Sequence, residues 1–200
     1  MSARAHRPLG VAALLLALAL PFGTAAAEDE PSRRWFVPDH AKLQLAGDIG
    51  FLSPGVGWEH ANRKIHVDLF LGWVPEAIGG HDIWSATGKI TFTPWRLNRG
   101  ERWVVQPFSV GTQVTWTFGS EYFVRAPSRY VAGYYEIPTA LRAGLTVGAG
   151  VARKLRDQRE LGLYAELVAL DLLVREWIEN PDVLGPTDVL SLAIGTRFAF

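Results

Sequence analysis

The chain lacks several features that would place it in a common protein class. It contains no cysteine, which excludes disulfide bonds and thiolate metal sites. Its 20 basic and 20 acidic residues balance, whereas a nucleic-acid-binding domain usually carries a basic excess on one face. No apolar run reaches the roughly 20 residues that a membrane-spanning helix needs. What the 200 residues do contain is a large share of aromatic side chains, tryptophan above all.

The N-terminus has the pattern of an export signal. Arg4 and Arg7 precede an apolar run from Leu9 to about Leu20, and Ala25–Ala27 is followed by acidic residues. A basic start, a short apolar run and small residues at a cleavage point are typical of a secretory signal peptide. We therefore expect residues 1–27 to be removed near Ala27 and the protein to leave the cytoplasm. The alternative is a single membrane anchor, for which the apolar run is short.

After a polar leader at 28–40, which we expect to lie in the periplasm, residues 41–200 alternate between apolar and polar side chains with a period of two. This period predicts β-strands, and no segment of the mature chain shows helical periodicity of useful length. The apolar positions change phase once near Gly50–Pro54, so 41–60 is interpreted as two strands, roughly 41–50 and 52–60, rather than one bulged strand. With these two, the chain has eight predicted strands. The other six lie in the segments KIHVDLFLGW, IWSATGKITFTPW, FSVGTQVTWTF, LRAGLTVGAGVA, ELGLYAELVAL and Thr187 to Phe200.

The alternation fits either a membrane barrel or a secreted β-sandwich. Three observations favour the barrel. The polar face is rich in Gly, Ser, Thr and Ala, which suits a crowded barrel interior. Short connections alternate with longer ones, as in outer-membrane barrels. The tryptophans fall near strand ends, where two bilayer interfaces would lie, and not in mid-strand, where a sandwich would bury them. The predicted fold is all-β, a closed antiparallel up-and-down transmembrane barrel.

The final strand carries a resemblance to a known class. It ends SLAIGTRFAF, with Phe198 and Phe200 on the apolar face, and the mature chain resembles the small eight-stranded outer-membrane barrel proteins. The resemblance is one of pattern over the whole mature chain, without a specific family motif. It implies an outer-membrane location, contact with the bilayer and lipopolysaccharide, and a monomer without a cofactor. It also implies that the barrel assembly machinery reads Phe200 and Phe198 as an assembly signal.

Charged residues on the polar face are expected to form an internal network. Because an unpaired charge in a water-poor lumen is very costly, they should pair across the strands. The expected pairs are Asp68 with Lys89, Arg142 with Glu166, and Glu166 with Arg197. An alternative use of the same residues is a narrow path for a solute or a proton.

Enzymatic activity is the main functional alternative. The lipid A deacylase barrels use a His-x-Ser pair, which this chain lacks. The lipid A palmitoyltransferase barrels use a His, an Asp and a Ser near the outer rim, and the nearest analogue here is His81, Asp82 and Ser85. In such a site His81 would act as the base, Asp82 would orient it, and Ser85 would be the nucleophile. In a polar loop the same residues more often serve turn geometry. No two histidines share metal-ligand spacing on one strand, so no metal site is expected.

The longest connection is the candidate binding region. Tyr122 and Tyr130 lie near Arg125 and Arg129 in GSEYFVRAPSRYVAGYYEIP. Guanidinium groups beside aromatic rings suit lipopolysaccharide phosphates or a partner protein. Alternatively, these side chains fold the loop onto the barrel rim. The expected function is therefore a non-enzymatic outer-membrane scaffold with recognition by its outer loops, and the alternatives are a lipid A-modifying enzyme and a narrow conduit.

Overall fold

The structure is a computed structural model, and it describes residues 36–124, 139–156 and 159–200. Nine strands and three short helices lie within these ranges. They are β1 His40–Ala46, β2 Leu52–His60, β3 Ile65–Val74, α1 Glu76–Gly79, β4 Ile83–Phe92, β5 Leu97–Arg99, β6 Trp103–Phe118, β7 Leu141–Lys154, β8 Glu160–Leu170, α2 Asp171–Glu179, α3 Pro186–Val189 and β9 Leu190–Ala199.

All strand pairs are antiparallel, and the sheet closes on itself. The order is β4-β3-β2-β1-β9-β8-β7-β6-β5, and β4 pairs with β6 to complete the ring. The three-residue strand β5 pairs only with β6, so the closed barrel has eight strands. The prediction of a closed eight-stranded up-and-down barrel is confirmed, and the sandwich is excluded. Residues 41–60 form two strands, as expected.

One helix and two strand boundaries differ from the sequence-based expectation. Helix α2 was not anticipated, because nine residues are too few to show a clear helical period beside the neighbouring strand pattern. Strand β9 begins at Leu190 and not at Thr187, since Pro186 opens helix α3, a position that suits proline. Strand β6 extends back to Trp103 across an irregularity between Gln106 and Ser109, where Pro107 has no amide hydrogen to donate.

The burial pattern is the reverse of that of a water-soluble protein. Lys89, Gln113 and Asp68 are among the largest fully buried side chains, whereas long aliphatic side chains project outward. Each barrel strand contributes polar groups to the interior and apolar groups to the outer surface. The buried polar residues include Ser53, Ser85, Thr87, Thr91, Thr115 and Thr146, and the exposed apolar ones include Leu69, Leu71, Ile90, Val114, Leu145, Leu163, Leu192 and Ile194.

Aromatic side chains collect at both ends of this apolar surface. At one end, the rings of Trp73 and Trp84 lie 6.2 Å apart. At the other end, Phe198 and Phe200 form an edge-to-face pair at 5.7 Å. The exposed side chains of Trp95 and Trp103 lie at this second end too, beside the short strand β5. Among the described residues, no helix is long and apolar enough to cross a membrane.

The two ends of the barrel differ in their connections. His40 at the start of β1 pairs with Ala199 at the end of β9, and we call this end of the barrel the terminal end. The connections at 61–64 and 155–159 lie there as well. The opposite end, which we call the loop end, carries all three helices and the connection at 119–140. The expected contrast between short and long connections is therefore present.

Candidate functional site

The interior near the terminal end holds a hydrogen-bonded group of charged side chains. Asp68 Oδ1 lies 2.6 Å from His40 Nε2, and its Oδ2 accepts a hydrogen bond from Lys42 Nζ at 2.6 Å. Asp68 is fully buried, so these partners and not water must compensate its negative charge. Gly57 lies opposite Asp68 on β2, and a Cβ atom there would collide with the Asp68 carboxylate and the His40 ring. Glycine is therefore what lets the three groups approach.

Arg197 on β9 connects this group to two further carboxylates. Its Nη1 donates to Glu59 Oε1 at 2.9 Å, and its Nη2 donates to Glu160 Oε2 at 3.3 Å. Arg63 and Arg96 approach the same carboxylates from the barrel rim, with Arg96 Nη2 2.9 Å from Glu160 Oε2. The result is two adjoining sets of ion pairs at the terminal end, which we together call the terminal charge network. It contains Lys42, Arg63, Arg96, Arg197, Glu59, Asp68 and Glu160, with His40 between Asp68 and Glu59.

The second buried ion pair joins Lys89 on β4 to Glu166 on β8. These strands are not neighbours, so both side chains reach across the lumen. The specific pairings expected from the sequence were wrong. Asp68 pairs with Lys42 and not with Lys89, and Glu166 pairs with Lys89 and not with Arg197. Proximity on adjacent strands was the wrong criterion, because Lys42 reaches Asp68 over the intervening strand β2 and Lys89 reaches Glu166 across the lumen.

Arg142 was expected to pair with Glu166, and the register separates them. Arg142 lies opposite Thr115 of β6, near the loop end of β7. Glu166 lies opposite Gly148, six residues further along the same strand. A separation of six strand residues is about 20 Å, beyond the reach of a salt bridge. Arg142 therefore does not belong to the Lys89–Glu166 pair.

Three potential metal ligands come together that the sequence did not reveal. The ligand atoms of His40, Glu59 and His66 lie within 4.8 Å of one another. They come from three successive strands, so inspection of single strands could not find them. Arg197 Nη1 already lies 2.9 Å from Glu59 Oε1 and 3.4 Å from His66 Nδ1. A guanidinium group thus already contacts two of the three potential ligands, while His40 Nδ1 is buried without a hydrogen-bond partner among the described residues.

At the loop end, the connection between β1 and β2 folds inward and caps the lumen. Ser85 Oγ donates a hydrogen bond to the carbonyl oxygen of Ile49, and Gln113 Nε2 donates to that of Gly47 at 3.3 Å. Ile49 is 1% exposed. A side chain on Gly72 would collide with the Ile49 carbonyl, so glycine is required there. Residues 47–50, which we call the inner loop, are therefore held by side chains of the neighbouring strands β4 and β6.

The three candidate catalytic residues do not form a catalytic arrangement. Ser85 is buried and bonded to the inner loop. His81 is exposed, and its Nε2 lies 3.0 Å from Glu121 Oε1. Asp82 Oδ1 accepts hydrogen bonds from Trp73 Nε1 and from the backbone nitrogen of Glu76, both at 3.1 Å. Each residue has a separate structural partner, and the geometry supplies no His–Asp or Ser–His hydrogen bond among these three.

A cleft of about 540 Å³ opens beside the inner loop at the loop end. This volume lies within the range of small-molecule sites. Asp48 is its one lining side chain that carries a formal charge. Hydroxyl groups in the cleft come from Ser85, Thr115, Thr117 and Ser191. Its apolar surface comes from Ile49, Phe51, Val74, Ile78, Ile83 and Leu192.

The candidate binding residues of the longest connection are only partly described. Tyr122 lies beside the loop end, and partial burial there, together with the charge of Glu121, raises its pKa. Arg125, Arg129 and Tyr130 lie outside the described residues. The backbone nitrogen of Thr139 donates to the carbonyl oxygen of Phe123 at 2.9 Å, so the described ends of the connection lie side by side.

Comparison with known proteins identifies no similar protein. No model of a known protein family matches the chain, and searches of curated proteins and of solved structures return no match either. The functional argument therefore rests on the geometry of the barrel.

Proposed function

We propose that the protein is an integral outer-membrane β-barrel that acts as a closed, non-enzymatic scaffold and uses its loop end for recognition. The observation that carries this proposal is the reversed burial of the eight barrel strands. Exposed leucine, isoleucine and valine side chains cover the outer surface, while lysine, aspartate and glutamine are buried inside. In water such a surface would be an aggregation hazard, whereas in a bilayer it is the favourable arrangement.

The interior supports a scaffold in preference to a conduit. An eight-stranded barrel has room for side chains and little else. Here the terminal charge network fills one end, and the inner loop closes the other through Ser85 and Gln113. A solute or proton path would need both obstacles to move. We infer that the barrel does not conduct.

The loop end is the proposed recognition surface. It carries the cleft beside the inner loop and helix α2, whose residues Trp177 and Ile178 are exposed. Lipopolysaccharide is the partner proposed for this surface, because the loop end of such a barrel would face the outer leaflet. The bilayer contacts the apolar wall, the assembly machinery reads the terminal Phe200, and the protein acts as a monomer.

Fractionation of cells that produce the full chain tests the location. We expect the protein in outer-membrane fractions, resistant to carbonate extraction, with gel mobility that changes on boiling. Identical mobility before and after boiling, together with release by carbonate, would overturn the membrane proposal. Planar-bilayer recordings test the closed lumen separately. Steady single-channel currents from the purified barrel would contradict a closed lumen and favour the conduit as the function.

A further inference from the structure

A small internal cavity adjoins the terminal charge network. Its volume is about 40 Å³, whereas one water molecule needs roughly 10–15 Å³ by the same kind of measure. The cavity is thus large enough for a monatomic ion or a few waters. Six side chains that line it come from six different strands, namely Lys42, His66, Thr91, Gln106, Tyr164 and Arg197.

Two polar groups on this cavity have no partner among the described residues. They are the hydroxyl oxygen of Thr91 and the side-chain nitrogen of Gln106. Thr91 is 5% exposed, so bulk water does not satisfy its hydroxyl group. An amide N–H can only donate, and a hydroxyl group can donate as well. Because buried polar groups rarely stay unpaired, these two donors indicate an acceptor inside the cavity.

The charges around the cavity favour an acceptor with a negative charge. Among the described residues, the ion pairs of the terminal charge network link four cationic side chains, Lys42, Arg63, Arg96 and Arg197, to three carboxylates, Glu59, Asp68 and Glu160. Two of the cations, Lys42 and Arg197, line the cavity. Glu166 also lines it, but the buried ion pair with Lys89 balances that carboxylate.

We propose that this cavity binds one small monovalent anion of halide size. Thr91 and Gln106 donate hydrogen bonds to it, and the surplus positive charge of the terminal charge network holds it. The site goes beyond the proposed function, since it requires only the closed barrel and not a membrane location.

Thermal unfolding of the purified barrel in a non-ionic detergent tests the site. Gel mobility after heating gives the midpoint, which is compared in equal concentrations of sodium chloride, sodium bromide and sodium gluconate. Because a ligand that binds only the folded state stabilises it, we expect chloride and bromide to raise the midpoint by a few degrees relative to gluconate. Equal midpoints in all three salts would mean that the cavity holds water only and would overturn the proposal.

Two variants localise the effect. Thr91→Asp places a fixed carboxylate in the cavity, so its midpoint should no longer respond to chloride. Ser120→Asp, at an exposed position of the loop end, is the matched control and should respond as the natural chain does. Gln106→Leu removes one donor and should require about tenfold more chloride for the same shift. A full chloride response in Thr91→Asp would overturn the site. Should that variant not fold, an undiminished response in Gln106→Leu would do so.

Discussion

The hydroxyl group of Ser85 donates a hydrogen bond to the carbonyl oxygen of Ile49, and this bond ties the inner loop to strand β4. The sequence offered Ser85 as a possible nucleophile, whereas the structure gives it a structural partner. The bond also limits the chemistry of the serine, because its proton is committed to a backbone carbonyl and not to a histidine.

Replacing Ser85 should therefore loosen the inner loop without changing any lipid. Ser85→Ala leaves the Ile49 carbonyl without its donor, which should cost about 1–3 kcal/mol of unfolding free energy. Hydrogen exchange at 47–50 should accelerate, while Thr117→Ala, a change at another hydroxyl that lines the cleft, should leave exchange there unchanged. Mass spectrometry of lipid A should show the same acylation pattern with and without Ser85. An altered pattern would favour the enzyme alternative.

Replacing only one residue of the buried pair Lys89–Glu166 should lower the free energy of unfolding far more than replacing both. Both side chains are buried, at 2% and 6% exposure. Lys89→Met leaves the Glu166 carboxylate uncompensated, and we expect a loss of about 3–5 kcal/mol. Lys89→Met combined with Glu166→Leu should recover most of this loss. The measurement is urea unfolding of the natural chain, both single variants and the double variant. Additive losses would mean that the two residues act independently.

An arginine in the centre of the apolar wall tests the membrane proposal. Leu69 lies at the middle of β3 and is 53% exposed, while Ile78 in α1 is similarly exposed at 59%. Leu69→Arg should cost about 2–4 kcal/mol in a bilayer, whereas Ile78→Arg at the loop end should cost about 1 kcal/mol or less. Unfolding in lipid vesicles measures both. Equal stability of the two variants would contradict a bilayer around β3.

Loss of the terminal phenylalanine should impair assembly and not stability. Phe200 packs edge-to-face with Phe198, and its backbone nitrogen donates to the carbonyl oxygen of Asp39 at 3.1 Å. The contact of one exposed ring is modest, so the barrel refolded in detergent should keep nearly its full unfolding free energy when Phe200 is deleted. In cells, the amount in the outer membrane should fall severalfold. Phe200→Tyr retains an aromatic end and should assemble normally. Normal assembly without Phe200 would contradict its role as an assembly signal.

The contact between His81 and Glu121 gives a prediction about pH. The backbone amide of Glu121 and the nearby His81 ring hold the pKa of this exposed carboxyl below its usual value. A lowered pKa means that the contact is fully present above the usual pKa and is lost as the pH falls through the lowered one. The carboxyl titration observed by NMR should move upward in His81→Ala, though not completely, because the backbone amide is the larger cause. His60→Ala, in a turn at the terminal end, should leave it unchanged.

The sequence by itself determined the barrel, because strand alternation is a local property. Each of the segments from Lys64 to Phe200 shows which side chains share a face, and the small hydroxyl residues on the polar face indicate a crowded interior. The turn near Gly50 and the rim positions of Trp73 and Trp84 follow from the same pattern. Short helices such as α2 were not predicted from the sequence, because nine residues beside a strand show too little helical periodicity.

Only the tertiary structure decided which polar groups meet. Lys89 contacts Glu166 because closure of the sheet brings β4 and β8 to face each other across the lumen, and Arg197 contacts Glu59 over the intervening strand β1. The inward fold of the inner loop onto Ser85, and the cavity shared by Thr91 and Gln106, depend on the same closure. Alternation fixes the face on which a residue lies, whereas the partner across a barrel depends on strand number, register and side-chain length together.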